Sequence, residues 1–121
     1  FDLPPGTSDV QLTLMQSIKL DGVIVVTSPQ NLAATIVKKA ISMAQELNVK
    51  ILGVVENMAY AKCPSCGKKI DVFGNADVNK IGIETIGQIP IDPEISKLCD
   101  EGKIEEYEID LGGIYNLLEG L

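Results

Sequence analysis

The chain has 121 residues, no histidine, no arginine and a net charge of −7, and its length supports one domain with a sizeable core. The acidity argues against nucleic acid or an anionic membrane as partner, and no apolar run reaches the ~18 residues of a membrane span. Three cysteines, of which Cys63 and Cys66 are separated by two residues, read as reduced thiols of the cytoplasm rather than a secreted disulfide framework.

In chain order, Phe1-Asp2-Leu3 has no initiator methionine and reads as the end of a strand whose beginning is missing, as in a fragment or a processed half of a longer protein. Pro4-Pro5-Gly6 stiffens the loop that follows, and Ser8 or Asp9 caps a helix in which Val10, Leu14, Met15 and Ile18 fall at near-helical spacing. After the Asp21-Gly22 turn, Val23-Ile24-Val25-Val26 is a β-branched run expected of a strand buried on both faces of a parallel sheet. Ser28 suits an N-cap with Pro29 at the first helical position. The helix then runs to about residue 47, with Leu32, Ala33, Ile36, Val37, Ala40, Ile41, Ala44 and Leu47 as its apolar stripe.

Ile51-Leu52-Gly53-Val54-Val55 is a second buried strand leading into Glu56 and Asn57. A cysteine loop over residues 56–72 follows, then a weaker helix that ends near Gly82. Ile86-Gly87-Gln88-Ile89-Pro90 is a third strand. Asp92 or Pro93 opens a helix that carries Ile95, Leu98 and Cys99 on one face and stops at Glu101-Gly102, and a short amphipathic helix closes the chain. Strands alternating with helices at this spacing predict an α/β fold, a parallel sheet with helices on both faces, in one domain over residues 1–121. The unusual loops (4–9, 27–30, 56–67 and 90–92) are all expected at the carboxyl edge of the sheet, where such folds bind ligands.

Cys63 and Cys66 form a Cys-x-x-Cys pair, and Gly67 can supply the positive φ of a tight knuckle. The pair provides two soft ligands where zinc or an iron–sulfur cluster held by cysteines wants four, so a metal centre here needs a second copy of the chain. A redox dithiol and two incidental thiols are the other readings. A redox pair favours a helix N-terminus, whereas Gly67-Lys68-Lys69 reads as a turn. Lys62, Lys68 and Lys69 would partly offset a thiolate-bound centre. Cys99 reads as a small apolar core residue. Asp2 suits a magnesium-bound water beside a phosphate, with the Gly6 amide facing the anion, or equally a capping carboxylate. Asn57 reads more simply as a loop residue satisfying its own backbone than as a base-pairing amide, and Asp92 as a helix cap.

Taken together, Asp2-Leu3-Pro4-Pro5-Gly6-Thr7, Val25-Val26-Thr27-Ser28-Pro29-Gln30, Gly53-Val54-Val55-Glu56-Asn57-Met58 with Cys63-Pro64-Ser65-Cys66-Gly67, and Gly87-Gln88-Ile89-Pro90-Ile91-Asp92-Pro93 resemble the Mrp/ApbC family of iron–sulfur cluster carrier ATPases in the MinD/ParA-like P-loop group. The resemblance runs from about residue 1 to 102, and Glu-Asn-Met followed by Cys-Pro-x-Cys is its specific part. It implies a P-loop NTPase-like three-layer sandwich. It further implies a homodimer in which Cys63 and Cys66 of each copy hold a bridging [4Fe–4S] cluster, with zinc as the alternative, and delivery of that cluster to apo iron–sulfur proteins. Asp2 would match the acidic switch residue near magnesium and the γ-phosphate, Gly6 its neighbouring loop glycine, and Asn57 the residue that reads adenine, with the loop of Pro90 and Asp92 lining the same pocket. The family's phosphate loop is absent: no Gly-x-x-x-x-Gly-Lys-Ser/Thr stretch occurs. The 121 residues alone are therefore expected neither to bind ATP tightly nor to hydrolyse it, and to leave a sheet edge and apolar helix faces exposed. A purely structural zinc knuckle is one rival reading. A positioning or partitioning ATPase is another, disfavoured by the cysteine pair and by the lack of a clear basic amphipathic helix at the C-terminus.

Overall fold

The computed structural model describes residues 1–5, 7–73 and 82–120, the side chains of residues 31–34 and 112 excepted. The weaker helix expected before Gly82 falls almost wholly outside them, as does Gly6.

Three parallel strands form the sheet: β1 (Val23–Thr27), β2 (Ile51–Glu56) and β5 (Thr85–Gln88), in the order β1-β2-β5. Between β2 and β5 the chain makes a separate antiparallel hairpin, β3 (Ala61–Lys62) with β4 (Lys69–Ile70). Four α-helices complete the chain: α1 (Asp9–Ser17), α2 (Asn31–Glu46), α3 (Pro93–Glu101) and α4 (Gly112–Glu119).

β2 is central because its residues suit burial on both sides: Val54 is 0% exposed and Val55 nearly so. Val25 and Val54 are register partners and, with Val37 and Ile41 of α2, make the buried core, flanked by Val23, Ile51 and Ile83. Val55 pairs with Gly87 and so faces the opposite side, where Leu111 and Ile114 pack over Gly87. α2 and α4 therefore cover opposite faces, and the α/β, helices-on-both-faces architecture holds. Gly113 brings α4 close: a Cβ there would lie 2.7 Å from the Ile86 carbonyl oxygen.

α2 ends in a left-handed cap. Asn48 has φ +57°, its N–H donates to Gln45 O and that of Val49 to Ala44 O, the two bonds of a Schellman turn. α3 starts at Pro93 with Asp92 as N-cap and ends at Gly102, φ +68°.

Several expectations are corrected. The Ser28 cap does not form, because Gln30 is extended and occupies the N-cap position, so Pro29 precedes the helix and is itself buried. β1 is not buried on both faces: Val26 is 60% exposed on the side away from α2, and the outer edge of β1 has no strand partner among the described residues. Ile36 lies off the buried stripe of α2, 48% exposed; Val10 of α1 is exposed, and Ile18, expected in that helix, is its extended and exposed C-cap. Cys99 is exposed rather than core, since α3 packs mainly on the 3-10 turn Ile104–Glu106 and buries none of its residues. Residues 1–3, read from the sequence as the end of a strand, form none.

Candidate functional site

Of the unusual loops, those over 27–30, 56–67 and 90–92 do gather where the parallel strands end. Thr27, Glu56 and Gln88 are the last residues of β1, β2 and β5 and lie side by side as register partners. Glu56 is buried there, and its Oε2 accepts a 2.9 Å hydrogen bond from the Gln88 amide. The Asn57 N–H donates to the Thr27 carbonyl, 2.6 Å, which turns the chain across the sheet edge. Asn57 Oδ1 accepts from the Met58 N–H, 2.9 Å, and Met58 takes the left-handed φ of +56°.

From there residues 56–61 run beside residues 88–91. Ile89 N–H donates to Glu56 O (2.8 Å), Ala59 N–H to Ile89 O (2.9 Å) and Ile91 N–H to Tyr60 O (2.7 Å), and Ala61 bridges to Ile91 in parallel sense. The β2–β5 pairing thus continues past the ends of both strands to the foot of the β3–β4 hairpin. Pro90 is buried in this continuation.

The hairpin carries both cysteines at its tip. Cys63 N–H donates to Lys68 O (2.9 Å) and Gly67 N–H back to Cys63 O (2.8 Å), with Gly67 at φ +69° as its position requires. Both thiols are free, Cys63 half-buried and Cys66 exposed. The Ser65 backbone N–H, and after it the N–H and thiol of Cys66, hold the Cys63 thiol below its ordinary range. That is the polarity a thiolate metal ligand needs. Two soft donors on one turn suit a thiophilic metal, yet no group of three or more His, Cys, Asp or Glu side chains able to hold an ion occurs among the described residues. Of the three lysines expected to offset the thiolates, Lys69 instead lies over the Tyr60 ring, 4.2 Å from its centroid, and Lys62 acts on Asp92.

Asp92 uses both carboxylate oxygens. Oδ1 accepts from the Glu94 N–H and Oδ2 from the Tyr107 hydroxyl, each at 2.9 Å. The Glu94 N–H foremost, then the Tyr107 hydroxyl and the Lys62 charge, keep this carboxyl below the usual range. Burial, and then the hydrogen bond to Asp92, push Tyr107 up to about 12. A groove of about 550 Å³ opens beside these groups, lined among others by Tyr60, Lys62, Lys69, Gln88, Pro90 and Tyr107. Asp2 is exposed in a segment without regular structure and is not drawn to the strand ends by any hydrogen bond among the described residues.

Two contributors were not foreseen. Gln11 is buried; its side-chain oxygen accepts the Ser8 N–H at 2.6 Å and the Ser8 hydroxyl, and its amide donates to the Pro4 carbonyl. The Ser8-to-Gln11 spacing is a capping box and was readable as such. Tyr107 had no local signal, lying 15 positions from its partner Asp92.

Residues 1–112 match the family described as NUBPL iron-transfer P-loop NTPase, of the ParA group. The chain belongs to this family. An iron-sulfur cluster carrier protein of Aquifex aeolicus is 51% identical over 107 residues, 85% of this chain and 29% of its own length. One from Clostridium perfringens is 42% identical over all of this chain and 44% of its own. A nucleotide-binding protein from Archaeoglobus fulgidus, solved in complex with ADP, superposes with a TM-score of 0.74 at 49% identity, over 90% of this chain and 46% of that one. The chain thus spans less than half the length of each of these relatives.

Proposed function

We propose that residues 1–121 act as the C-terminal part of a cytoplasmic P-loop ATPase that carries iron–sulfur clusters, with residues 56–72 as its cargo-holding loop. The observation that carries this reading is the placement of the thiols. Cys63, half-buried, and Cys66, exposed, are a free soft-donor pair on a left-handed turn, with no third ligand among the described residues, in a chain whose relatives are cluster carriers. Two such tips, from two copies of the chain, supply the four thiolates of a [4Fe–4S] cargo and present it to apo iron–sulfur proteins. Exposed tips suit that encounter, since a recipient's thiolates can reach the cluster without opening the core.

Nucleotide would be held on the same sheet edge. Asn57 and the loop with Pro90 lie at the ends of β2 and β5, as an adenine pocket needs. Asp92, with both oxygens engaged, would shape that loop rather than touch the base. Asp2 and Gly6 would face magnesium and the γ-phosphate of ATP. The phosphate cradle would come from the longer protein, since this sequence holds no Gly-x-x-x-x-Gly-Lys-Ser/Thr stretch. The 121-residue chain alone should show no magnesium-dependent ATPase activity.

Anaerobic reconstitution with iron and sulfide tests the reading. Four irons per dimer and a broad visible charge-transfer band, both lost in Cys63→Ser, are the expected result. One colourless zinc per dimer, with no iron retained, would replace the carrier with a structural zinc knuckle, the rival that the compact Cys63–Gly67 turn favours.

A further inference from the structure

We propose that Tyr107 is a positioning residue for the cysteine pair, acting through Asp92 on the segment against which the root of the hairpin is laced. The proposal rests on the carrier reading only for its consequence on cargo release. Its structural content is a connected set of hydrogen bonds.

The foot of β3 is attached along one side, by the Ala59-to-Ile89 and Ile91-to-Tyr60 bonds and the Ala61–Ile91 bridge. β4 reaches that attachment only through β3, by its pairing and by Lys69 over the ring of Tyr60, the residue just before β3. The β3 leg therefore depends directly on where residues 89–91 lie, and β4 depends on it through β3. That segment is fixed at its far end by Asp92, which caps α3 with one oxygen and receives the Tyr107 hydroxyl on the other. Tyr107 belongs to the segment that returns after α3 and walls the groove also lined by Tyr60 and Lys69. Cutting the tie at Tyr107 frees residues 89–92 on one side, and the hairpin with them, while the core under α2 has no part in it.

Two variants of the full chain test this. Tyr107→Phe removes the hydroxyl and nothing else. Asp92→Ser keeps a good helix cap but is too short to reach residue 107. Amide hydrogen exchange on the metal-free protein should speed up at Ala59, Cys63, Gly67 and Ile91 in both variants, roughly three- to tenfold for one lost hydrogen bond. Val25 and Val54 should exchange as before. The double variant should add little to either single one, as expected of two halves of one interaction. Zinc loaded on the chain should pass to a chromophoric chelator faster by a similar factor. Unchanged exchange at those four amides, or an equal rise at Val25 and Val54, overturns the proposal. If the hairpin loosens but neither zinc nor a reconstituted cluster is held by any form, the positioning role stands and the carrier reading falls. If cluster is held normally and exchange does not change, the reverse follows. Should Tyr107→Phe fail to fold, Asp92→Ser alone decides.

Discussion

Replacing Gly67 by alanine separates the backbone demand of the cysteine knuckle from every packing effect. Gly67 has φ +69°, and a Cβ built there meets no atom within 4 Å. The penalty is conformational alone, about 1–2 kcal/mol for holding an L-residue left-handed. Because the tip is exposed and outside the core, metal-free protein can relieve that strain by opening the turn, leaving its unfolding midpoint where it was. Metal binding needs the turn closed and bears the whole penalty. At about 1.4 kcal/mol per factor of ten, one hairpin loses about 5–30-fold in affinity. A centre shared by the hairpins of two copies bears the penalty twice, about 30–900-fold.

The assay is competition for zinc against a chromophoric chelator at fixed pH, comparing the unsubstituted chain, Gly67→Ala and Gly67→Asn. Asparagine tolerates the left-handed region and should recover most of the loss. A loss within twofold for alanine would falsify the claim that the turn holds the thiols. Equal losses for alanine and asparagine would refute the conformational account in favour of side-chain bulk. A loss confined to the single-hairpin range would refute a centre bridging two copies.

Val54→Ala should cost about 2 kcal/mol, since Val54 is fully buried between the layers; urea unfolding should show a lower midpoint at unchanged slope. Gly113→Ala should destabilise by about 1–3 kcal/mol despite the better helix propensity of alanine, because its Cβ would meet a backbone carbonyl that can yield only if α4 moves; the same urea titration checks it. In metal-free protein the Cys63 thiol should keep reacting with iodoacetamide at lower pH than the cysteine of an unstructured peptide does, its midpoint falling below the peptide's, because the Ser65 and Cys66 N–H groups favour the thiolate. Peptide mapping of the alkylated residue against pH reads this directly, and a midpoint at or above the peptide's would contradict it.

Local rules made much of the fold legible. The β-branched run placed β1, the Asp92-Pro93 pair placed the start of α3, Glu101-Gly102 placed its end, and Gly67 takes the left-handed conformation its position implied. Misses came where tertiary context decides. Ser28-Pro29 carries an N-terminal helix signal, yet Gln30 stays extended and delays the helix. Cys99 shares a helical face with Ile95 and Leu98, but periodicity says only which residues lie together, not whether anything covers them. The hairpin was missed as a strand pair because two residues per strand give no period to read. The tie between Tyr107 and Asp92 joins segments separated by a helix, beyond any window of local spacing.

Those misses converge on how the thiols are held. A two-residue-per-strand hairpin is not stable by itself, and residues 64–70 are exposed, so its order is borrowed from the extended β2–β5 ladder and the Tyr60–Lys69 contact. Such a hairpin can open while Val25, Val37, Ile41 and Val54 stay packed. On the carrier reading this separation is what the task requires: a cargo must be gripped and surrendered without unfolding its holder, whereas a permanent structural zinc gains from a closed site. On the carrier reading, the ladder also offers a route by which a nucleotide would act on the grip. Residues 89–91 are one rail of that ladder and the root of the hairpin is the other, so a ligand that shifted the loop with Pro90 would displace the foot of β3 before it disturbed the core.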